Sequence, residues 1–345
     1  MKVMIVTDAW LPQVNGVVTT LGKIDEGLIR LGHETRFVTP QLFKSIPCPT
    51  YPEIRLSLMP YAGVSREIEA FAPDALHIAT EGPLGLAARR YCLKHKVAFT
   101  SAFHTRFAEY VHARIRIPVD LTYRWLRNFH APSRALMVPT PSVQRDLEAR
   151  GFTNTVAWTR GVDTATFSPG ARDALVNRRP IFLYVGRVAV EKNIEAFLKI
   201  DLPGTKWVVG EGPMRAKLER RYPHVHFAGI KTPAELARYY RAADVFVFPS
   251  LTDTFGLVML EALACGTPVA AFPVLGPIDV IGDSGAGVLH EDLGIACVQA
   301  LDIPREKARG YAEQFSWQAS IDQFVRHLTP VAARSAAWLL ISTPS

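Results

Sequence analysis

Two acidic residues eight positions apart, Asp253 and Glu261, are the first candidates for chemistry in this sequence. Asp253 lies in a polar loop, and Glu261 lies within an apolar segment with helical spacing that begins near Gly256. A carboxylate in an apolar helix is unfavourable unless it accepts hydrogen bonds or pairs with a charge, so Glu261 requires a partner. A ribose diol would serve as that partner, and a buried structural ion pair is the alternative.

Two cations form a second candidate group. Gly186 and Arg187 follow a predicted strand at 181–185, and Lys192 stands in a Glu-Lys-Asn sequence at the start of a predicted helix. Arg187 offers a bidentate fork and Lys192 a point charge, which together could neutralise a diphosphate at the end of the strand. Solvated surface charges are the alternative for both.

Glycine-containing turns close two other predicted strands. Asn15 and Gly16 come after the first strand and open directly onto a predicted helix, whose N-terminal N–H groups could bind an anion. An ordinary strand-to-helix turn is the alternative. The turn Gly210-Glu211-Gly212-Pro213 could line a pocket for a base. The first turn lacks a GxGxxG sequence, which disfavours a nicotinamide-binding domain.

One histidine lies at the end of a predicted strand. His104 follows the predicted strand at 98–101, at the end of the strand that should face a ligand crevice. A single histidine is more often structural, so the position alone does not decide its role. The other histidines lack a comparable context.

The order of elements predicts the architecture. Short β-branched segments alternate with longer amphipathic ones, which is typical of parallel sheets built from βαβ units. The predicted strands form one series at 3–7, 35–39, 75–78, 98–101 and 136–139, and a second at 181–185, 206–209, 225–228, 245–248 and 269–272. We therefore predict an α/β protein with two doubly wound, Rossmann-like domains facing a central cleft, because ligands bind outside the carboxyl ends of such strands.

A linker at 163–179 separates the two series, and the predicted boundary lies near residue 170. The N-terminal domain would span 1–170 and the C-terminal domain 171–330, with a tail at 331–345. The last helix of the second domain is a candidate to pack back on the first.

Composition restricts the class of protein. A chain of 345 residues, 48% of them hydrophobic, can build two cores. No segment has the length and composition of a signal peptide or a membrane-spanning helix. The four cysteines lie far apart without the spacing of a zinc site, which suits a reducing cytoplasm: Cys48, Cys92, Cys265 and Cys297.

The combined motifs resemble the retaining glycosyltransferases of family 4, which have the GT-B fold. Asp253 to Glu261 is similar to the acidic-x7-acidic motif of that family, and residues 252–256 resemble the Thr-Asp-Thr-Phe-Gly form of its bacterial glycolipid synthases and mannosyltransferases. The resemblance extends over nearly the whole chain. Its other motifs are Asn15-Gly16-Val17, Glu81-Gly82-Pro83, Phe103-His104-Thr105, Gly161-Val162-Asp163, Gly186-Arg187 with Glu191-Lys192-Asn193, and Gly210-Glu211-Gly212.

This resemblance implies an acceptor site in the first domain and a nucleotide-sugar site in the second. Arg187 and Lys192 would hold the donor diphosphate, and Glu261 would bind the ribose. Asp253 would touch the transferred sugar, beside His104. The implied donor-binding residues are Gly16, Arg187, Lys192, Glu211, Thr254, Phe255, Gly256, Leu257 and Glu261, and the implied catalytic residues are His104, Asp253, Arg187 and Lys192. Asp253 stands where the family usually has Glu, which leaves the identity of the sugar open.

The implied reaction is a hexosyl transfer with retention, in which the diphosphate leaves as the acceptor hydroxyl attacks from the same face. Because the sequence offers two cations and a helix N-terminus but no DxD-like pair at a strand end, we expect neither a metal nor another cofactor. A UDP-sugar is preferred as the donor, with GDP-mannose as the alternative.

Two other classes of protein explain less of the sequence. A nicotinamide-dependent nucleotide-sugar epimerase would require GxGxxG and usually YxxxK, and both are missing. A non-catalytic protein that binds membranes or nucleic acid would leave the motifs of the second domain unexplained.

Positive charge is concentrated in the first domain. Ten Lys or Arg residues lie from Arg89 to Arg134, against two acids, Glu109 and Asp120, and eight aromatic residues are interleaved with them. Basic and aromatic residues together suit docking on an anionic membrane. We therefore expect a lipid acceptor such as diacylglycerol, no nucleic-acid partner, and a cytoplasmic enzyme that is peripheral on the inner face of the cell membrane. A soluble sugar or polysaccharide acceptor is the alternative.

Overall fold

Two six-stranded parallel sheets form the centre of the molecule. The computed structural model describes residues 1–49, 51–175 and 178–331. The strands of the first part of the chain are β1 (Lys2–Val6), β2 (Glu34–Val38), β3 (Ser45–Cys48), β4 (Tyr51–Ser57), β5 (Ala75–Ile78), β6 (Thr100–Ala102), β7 (Leu136–Val138) and β8 (Thr155–Ala157). Those of the second part are β9 (Ile181–Val185), β10 (Thr205–Val209), β11 (His226–Phe227), β12 (Val245–Phe248), β13 (Val269–Ala271) and β14 (Gly287–Leu289).

Helices connect most of the strands. The first part contains α1 (Gly16–Arg30), α2 (Tyr61–Phe71), α3 (Pro83–His95), α4 (Phe107–Ile115), α5 (Val119–His130) and α6 (Pro141–Ala149). The second contains α7 (Ile194–Lys199), α8 (Arg215–Arg221), α9 (Pro233–Ala242), α10 (Leu257–Ala264), α11 (Pro277–Val280), α12 (Leu293–Ala300), α13 (Arg305–Ala312) and α14 (Trp317–His327). Short 3₁₀ turns occupy Pro40–Leu42 and Val190–Lys192.

The strand order of each sheet reverses beside its first strand. The first sheet runs β2-β1-β5-β6-β7-β8, and the second runs β11-β10-β9-β12-β13-β14. All strand pairs within the two sheets are parallel. A crevice opens where the order reverses, between β1 and β5 and between β9 and β12. This topology confirms the predicted α/β fold with two Rossmann-like domains.

Strand β9 illustrates why these segments form central strands. Its five residues are all buried, as expected for a parallel strand that helices cover on both faces. Ile181 and Leu183 pack in a cluster with residues of α9 and α10, whereas Phe182 and Tyr184 pack in another with residues of α7 and α8. The alternation follows from the two-residue period of a strand.

Four strands are absent from the sequence-based prediction. β8 and β14 are three-residue edge strands, and most of their residues are only partly buried. β3 and β4 form a separate antiparallel hairpin that carries Pro47 and Pro52. These segments lack the long apolar runs that mark β9, so the sequence pattern does not distinguish them from loops.

The last helix returns to the first domain. Ile321 and Phe324 of α14 lie in one apolar cluster with Leu28 of α1, and the indole N–H of Trp158 donates to the Ser320 carbonyl at 3.1 Å. The chain therefore passes between the domains twice, and the two passages touch. The Val162 N–H donates to the Phe315 carbonyl at 3.1 Å, and a Cβ at position 161 would lie 2.2 Å from the Trp317 nitrogen.

The boundary predicted near residue 170 falls in the segment that joins β8 to β9. Of the predicted tail at 331–345, residues 332–345 lie outside the described residues. Within the described ranges, no helix is both long enough and apolar enough to cross a membrane.

Candidate active site

Contacts between the two domains gather several of the predicted site residues. The Thr254 hydroxyl, in the loop after β12, donates to the His104 carbonyl at 2.7 Å, and the Thr140 hydroxyl donates to the Thr254 carbonyl at 3.4 Å. Nearby, a Cβ at Gly16 would lie 3.6 Å from Cδ1 of Leu257. Loops from the carboxyl ends of both sheets therefore meet in one cleft.

Lys192 and Asp253 form an ion pair at the centre of this cleft. Their Nζ and Oδ1 atoms are 2.5 Å apart, and Nζ also lies 3.4 Å from the Tyr110 hydroxyl. Although burial opposes its charge, the Asp253 carboxylate raises the pKa of Lys192, so this lysine stays charged. The second oxygen of Asp253, Oδ2, is buried and has no hydrogen-bond partner among the described residues.

Arg187 reaches across the cleft to the other domain. It follows Gly186, whose φ of 153° suits glycine, and its carbonyl accepts a hydrogen bond of 2.7 Å from the Tyr184 hydroxyl. Its guanidinium pairs with the carboxylate of Glu53 on β4. A sequence-predicted anion-binding residue thus pairs with a carboxylate of the protein itself.

Glu261 bonds to a phenol. The Tyr240 hydroxyl donates to Oε2 at 2.9 Å, and Glu261 forms no ion pair within the described part of the chain. Burial raises its pKa to about 7, although the Tyr240 hydrogen bond acts in the opposite direction. This arrangement disfavours the structural ion pair considered above and leaves Glu261 able to accept further hydrogen bonds.

The turn before α10 requires glycine. Gly256 has a φ of 86°, and a Cβ there would lie 2.9 Å from Cζ of Phe248. The side chains of Thr254 and Phe255 are buried, and the Thr254 hydroxyl is engaged by His104. Any contact that this turn makes with a ligand must therefore come mainly from backbone N–H groups at the start of the helix.

The turn that carries Glu211 lies beside Arg187. The Val188 N–H donates to the Glu211 carbonyl at 2.8 Å, and a Cβ at Gly210 would lie 2.0 Å from the Gly186 carbonyl oxygen. The Glu211 side chain itself pairs with Arg215, one turn along the chain. The structure brings this turn to the cleft but directs the Glu211 carboxylate to a neighbouring cation.

His104 has a neighbour that sequence reasoning missed. The guanidinium of Arg160 approaches the His104 Nδ1 atom at 3.4 Å, while Nε2 of the same ring is buried without a partner among the described residues. Burial, and then the charge of Arg160, holds the pKa of His104 well below its usual range. The signal that could have identified Arg160 is its position directly before the Gly161-Val162-Asp163 motif.

Glu53, Tyr110 and Tyr240 were also missed, because each contacts the site from a distant segment without a local motif. As for metals, no group of three or more His, Cys, Asp or Glu side chains in residues 1–49, 51–175 and 178–331 is arranged to hold an ion.

Comparison with known proteins agrees with this arrangement. A model of glycosyltransferase family 4 matches residues 14–166, and a model of group 1 glycosyl transferases matches residues 179–302. A GDP-mannose-dependent alpha-mannosyltransferase of Mycobacterium tuberculosis is 30% identical over 314 residues, which cover 84% of this chain and 83% of the relative. The chain belongs to glycosyltransferase family 4. It is therefore a hexosyltransferase, as predicted.

Two further proteins resemble this chain, one in sequence and one in structure. An alpha-monoglucosyldiacylglycerol synthase of Streptococcus pneumoniae is 27% identical over 355 residues, covering 87% of this chain and 78% of the relative. The structure of sucrose-phosphate synthase from Thermosynechococcus elongatus superposes with a TM-score of 0.76 at 20% identity, covering 94% of this chain and 97% of that one. The structural likeness supports the GT-B fold of family 4.

The raised pKa of Glu261 predicts a pH-dependent stability difference. Its pKa rises from 4.5 to about 7 on folding, so its contribution to stability is full below pH 4.5 and is lost as the pH rises through 7. A glutamine side chain at this position does not ionise. Glu261→Gln should therefore unfold at an increasingly higher temperature than the wild type between these pH values, measured without nucleotide. Glu291→Gln, which removes an exposed carboxylate, is the control, and parallel curves for Glu261→Gln and wild type would contradict the prediction.

Proposed function

We propose that this glycosyltransferase moves a hexose from a nucleotide diphosphate sugar to a membrane lipid such as diacylglycerol, with retention of configuration. Two polar atoms in the cleft carry the part of the proposal that concerns the donor. There Asp253 Oδ2 and His104 Nε2 are both buried without partners among the described residues. A carboxylate oxygen accepts hydrogen bonds, and an imidazole nitrogen can donate one, so a sugar with several hydroxyl groups would satisfy both.

The cations of the second domain support a diphosphate leaving group. Arg187 and Lys192 follow the same strand, β9, and the N-terminus of α10 adds backbone N–H groups. In the proposed reaction these groups bind the diphosphate and stabilise the charge that develops as it leaves. Glu261 would bind the ribose hydroxyls, and Gly16 leaves room for the phosphates between the two domains.

The chemistry of the transfer then depends on position. The acceptor hydroxyl attacks from the face that the diphosphate leaves, and the leaving oxygen takes up the proton of the attacking hydroxyl. Asp253 is already paired with Lys192, which suits it to hold the sugar rather than to attack the anomeric carbon. No metal or other cofactor takes part in this scheme.

A GDP-mannose donor is the second candidate. The M. tuberculosis relative is described as GDP-mannose-dependent, and it resembles this chain over most of both lengths. The turn at 210–212, next to Arg187, is the proposed position of the base pocket. Because backbone groups form much of that turn, UDP and GDP donors must be distinguished by assay.

The proposed lipid acceptor is supported by one relative and by one exposed surface of this chain. The S. pneumoniae relative is described as a monoglucosyldiacylglycerol synthase. In this chain, α4, α5 and the residues joining them expose apolar side chains, which we call the α4–α5 surface. Its exposed apolar members include Phe107, Ile115 (64% exposed), Ile117, Leu121 (49% exposed) and Trp125.

The structure reduces the set of cations available for docking. Arg127 donates to the Arg150 carbonyl at 3.0 Å, and Arg89 donates to the Phe129 carbonyl at 2.8 Å, so both have structural contacts. Arg116 and Arg124 are exposed on the α4–α5 surface. Most of the interleaved aromatic residues are core residues: Tyr91, Phe99, Phe103, Tyr123 and Phe129. We propose that the exposed apolar residues and these two exposed arginines dock on the cytoplasmic face of an anionic membrane.

The primary test is a transfer assay with UDP- and GDP-sugars against diacylglycerol, other lipids and soluble sugars. We expect transfer to a lipid, a product with the anomeric configuration of the donor, and full activity in excess EDTA. Product analysis by NMR reads the configuration. An inverted product would refute the mechanism, loss of activity in EDTA would refute metal independence, and transfer to soluble sugars alone would refute the lipid acceptor.

Substitution of the diphosphate-binding cations should affect turnover. Arg187→Ala and Lys192→Ala each remove a charge-assisted contact worth about 2 to 4 kcal/mol in the transition state, equivalent to about 30-fold to 1,000-fold in kcat. Arg187→Lys should recover part of the loss. Arg220→Ala on α8 removes an exposed arginine from the same domain and should leave turnover unchanged. Thermal unfolding identifies variants that lose structure, and wild-type turnover in both alanine variants would remove these residues from the donor site.

Membrane docking is tested by co-sedimentation with vesicles of neutral or anionic lipid at low and high salt. The wild type should prefer anionic vesicles, and Arg116→Ser with Arg124→Ser should weaken that binding most at low salt. Lys217→Ser with Arg220→Ser removes equal charge from α8 and serves as the matched control. Leu121→Ser should weaken binding at both salt concentrations. Equal losses in the arginine variant and its control would locate the attraction outside the α4–α5 surface.

A further inference from the structure

Arg160 is a buried cation without an acidic partner. It is 3% exposed and forms no ion pair within the described residues. Its guanidinium donates to the carbonyls of Trp158 at 2.6 Å and Thr159 at 3.0 Å, and it stacks over the Trp158 ring at 4.0 Å. Buried charges are usually paired with an opposite charge. Burial lowers the pKa of Arg160 to about 9, which still leaves it charged at neutral pH.

The guanidinium of Arg160 also contacts a side chain, because it lies 3.4 Å from Nδ1 of His104. A guanidinium has five N–H donors and no acceptor, so the partner atom must supply a lone pair. Nδ1 of His104 therefore carries no proton. In the neutral ring the proton must lie on Nε2, the nitrogen on the opposite side of the imidazole.

The surroundings of His104 keep the ring neutral and in place. It packs edge to face with the Trp158 ring, and the ring centroids are 5.4 Å apart. His77 also acts on His104 through its charge, and its Nδ1 bonds to Thr100 at 2.9 Å. Burial and then the charge of Arg160 lower the pKa of His77 to about 3. A second proton on His104 would place a cation against Arg160, and this repulsion opposes protonation.

We propose that Arg160 is a positioning residue that fixes His104 in the Nε2–H tautomer, so that the ring presents a hydrogen-bond donor to a hydroxyl of the sugar being transferred. The buried Nε2 atom has no partner in the described protein, and the His104 carbonyl bonds to Thr254 of the other domain at 2.7 Å. The ring thus lies where the domains meet with one donor unused. The sugar contact rests on the proposed function, whereas the tautomer does not.

Residue 160 must donate without accepting if this inference is correct. A lysine preserves that property and can partly replace the arginine. A methionine has a similar length but offers no N–H donor, and a glutamine offers both a donor and an acceptor, so either leaves the tautomer of His104 undetermined.

The test is NMR of protein whose histidine rings are labelled with ¹⁵N, recorded without substrate, with the His104 signals assigned by loss in His104→Asn. In the wild type at neutral pH, we expect an unprotonated Nδ1 and a protonated Nε2. Arg160→Lys should retain this pattern, whereas Arg160→Met and Arg160→Gln should give a mixture of tautomers or a proton on Nδ1. A wild-type proton on Nδ1, or an unchanged pattern in a folded Met or Gln variant, overturns the proposal. The wild-type measurement tests the tautomer by itself, and whichever of the Met and Gln variants folds tests the role of Arg160.

Arg305→Met is the matched control. Arg305 is a partly buried arginine of the second domain that also donates to backbone carbonyls, those of Ala243 at 2.8 Å and Arg241 at 3.0 Å. Its substitution should lower stability and leave the His104 signals unchanged.

In the transfer assay, Arg160→Met should lower kcat about tenfold, the effect of one lost hydrogen bond, and Arg160→Lys should recover part of it. If NMR shows the expected tautomer but the enzyme does not glycosylate a lipid, only the proposed acceptor is refuted. An unchanged kcat in folded Arg160→Met would refute the sugar contact.

Discussion

The ion pair between Lys192 and Asp253 joins the two loops on which the site depends. These loops follow β9 and β12, which are neighbours in the sheet because the strand order reverses there. Both side chains are mostly shielded from water, so their attraction is screened less than that of a surface pair. The same loops carry Arg187 and lead into α10, so the position of the pair also constrains the cation at the end of β9 and the helix that contains Glu261.

Three ionisable groups of the cleft have partners within the protein. Glu53 holds Arg187, Asp253 holds Lys192, and Tyr240 bonds to Glu261. In the proposed reaction the donor diphosphate would take the place of Glu53 beside Arg187. The guanidinium would then face an anion both before and after binding, and the release of Glu53 would couple the β3–β4 hairpin of the first domain to occupancy of the second.

The sequence predicted the central strands and the residues that come together in the cleft, because both leave local signals. β9 and β12 are short apolar runs, and His104, Arg187, Lys192 and Asp253 each follow a predicted strand, where parallel topology brings them to one edge. The edge strands β8 and β14 lack such runs. Arg187 and Glu53 are separated by 134 positions, and no local pattern links them. The neutral state of His104 also depends on burial and on Arg160, which only the folded chain reveals.

The double passage of the chain between the domains constrains how the cleft can open. Gly161 lies directly against the backbone of Trp317, and Val162 is hydrogen-bonded to Phe315, so the two passages run side by side as one connection. A single flexible segment would permit rotation about any axis, whereas two segments that contact each other resist twisting of one domain relative to the other. The motion least opposed by this connection is a hinge bending of the domains about an axis through the two segments. Bending of this kind would bring the Thr254 hydroxyl back to the same carbonyl of His104, so the linkage itself would help to align the two halves of the site.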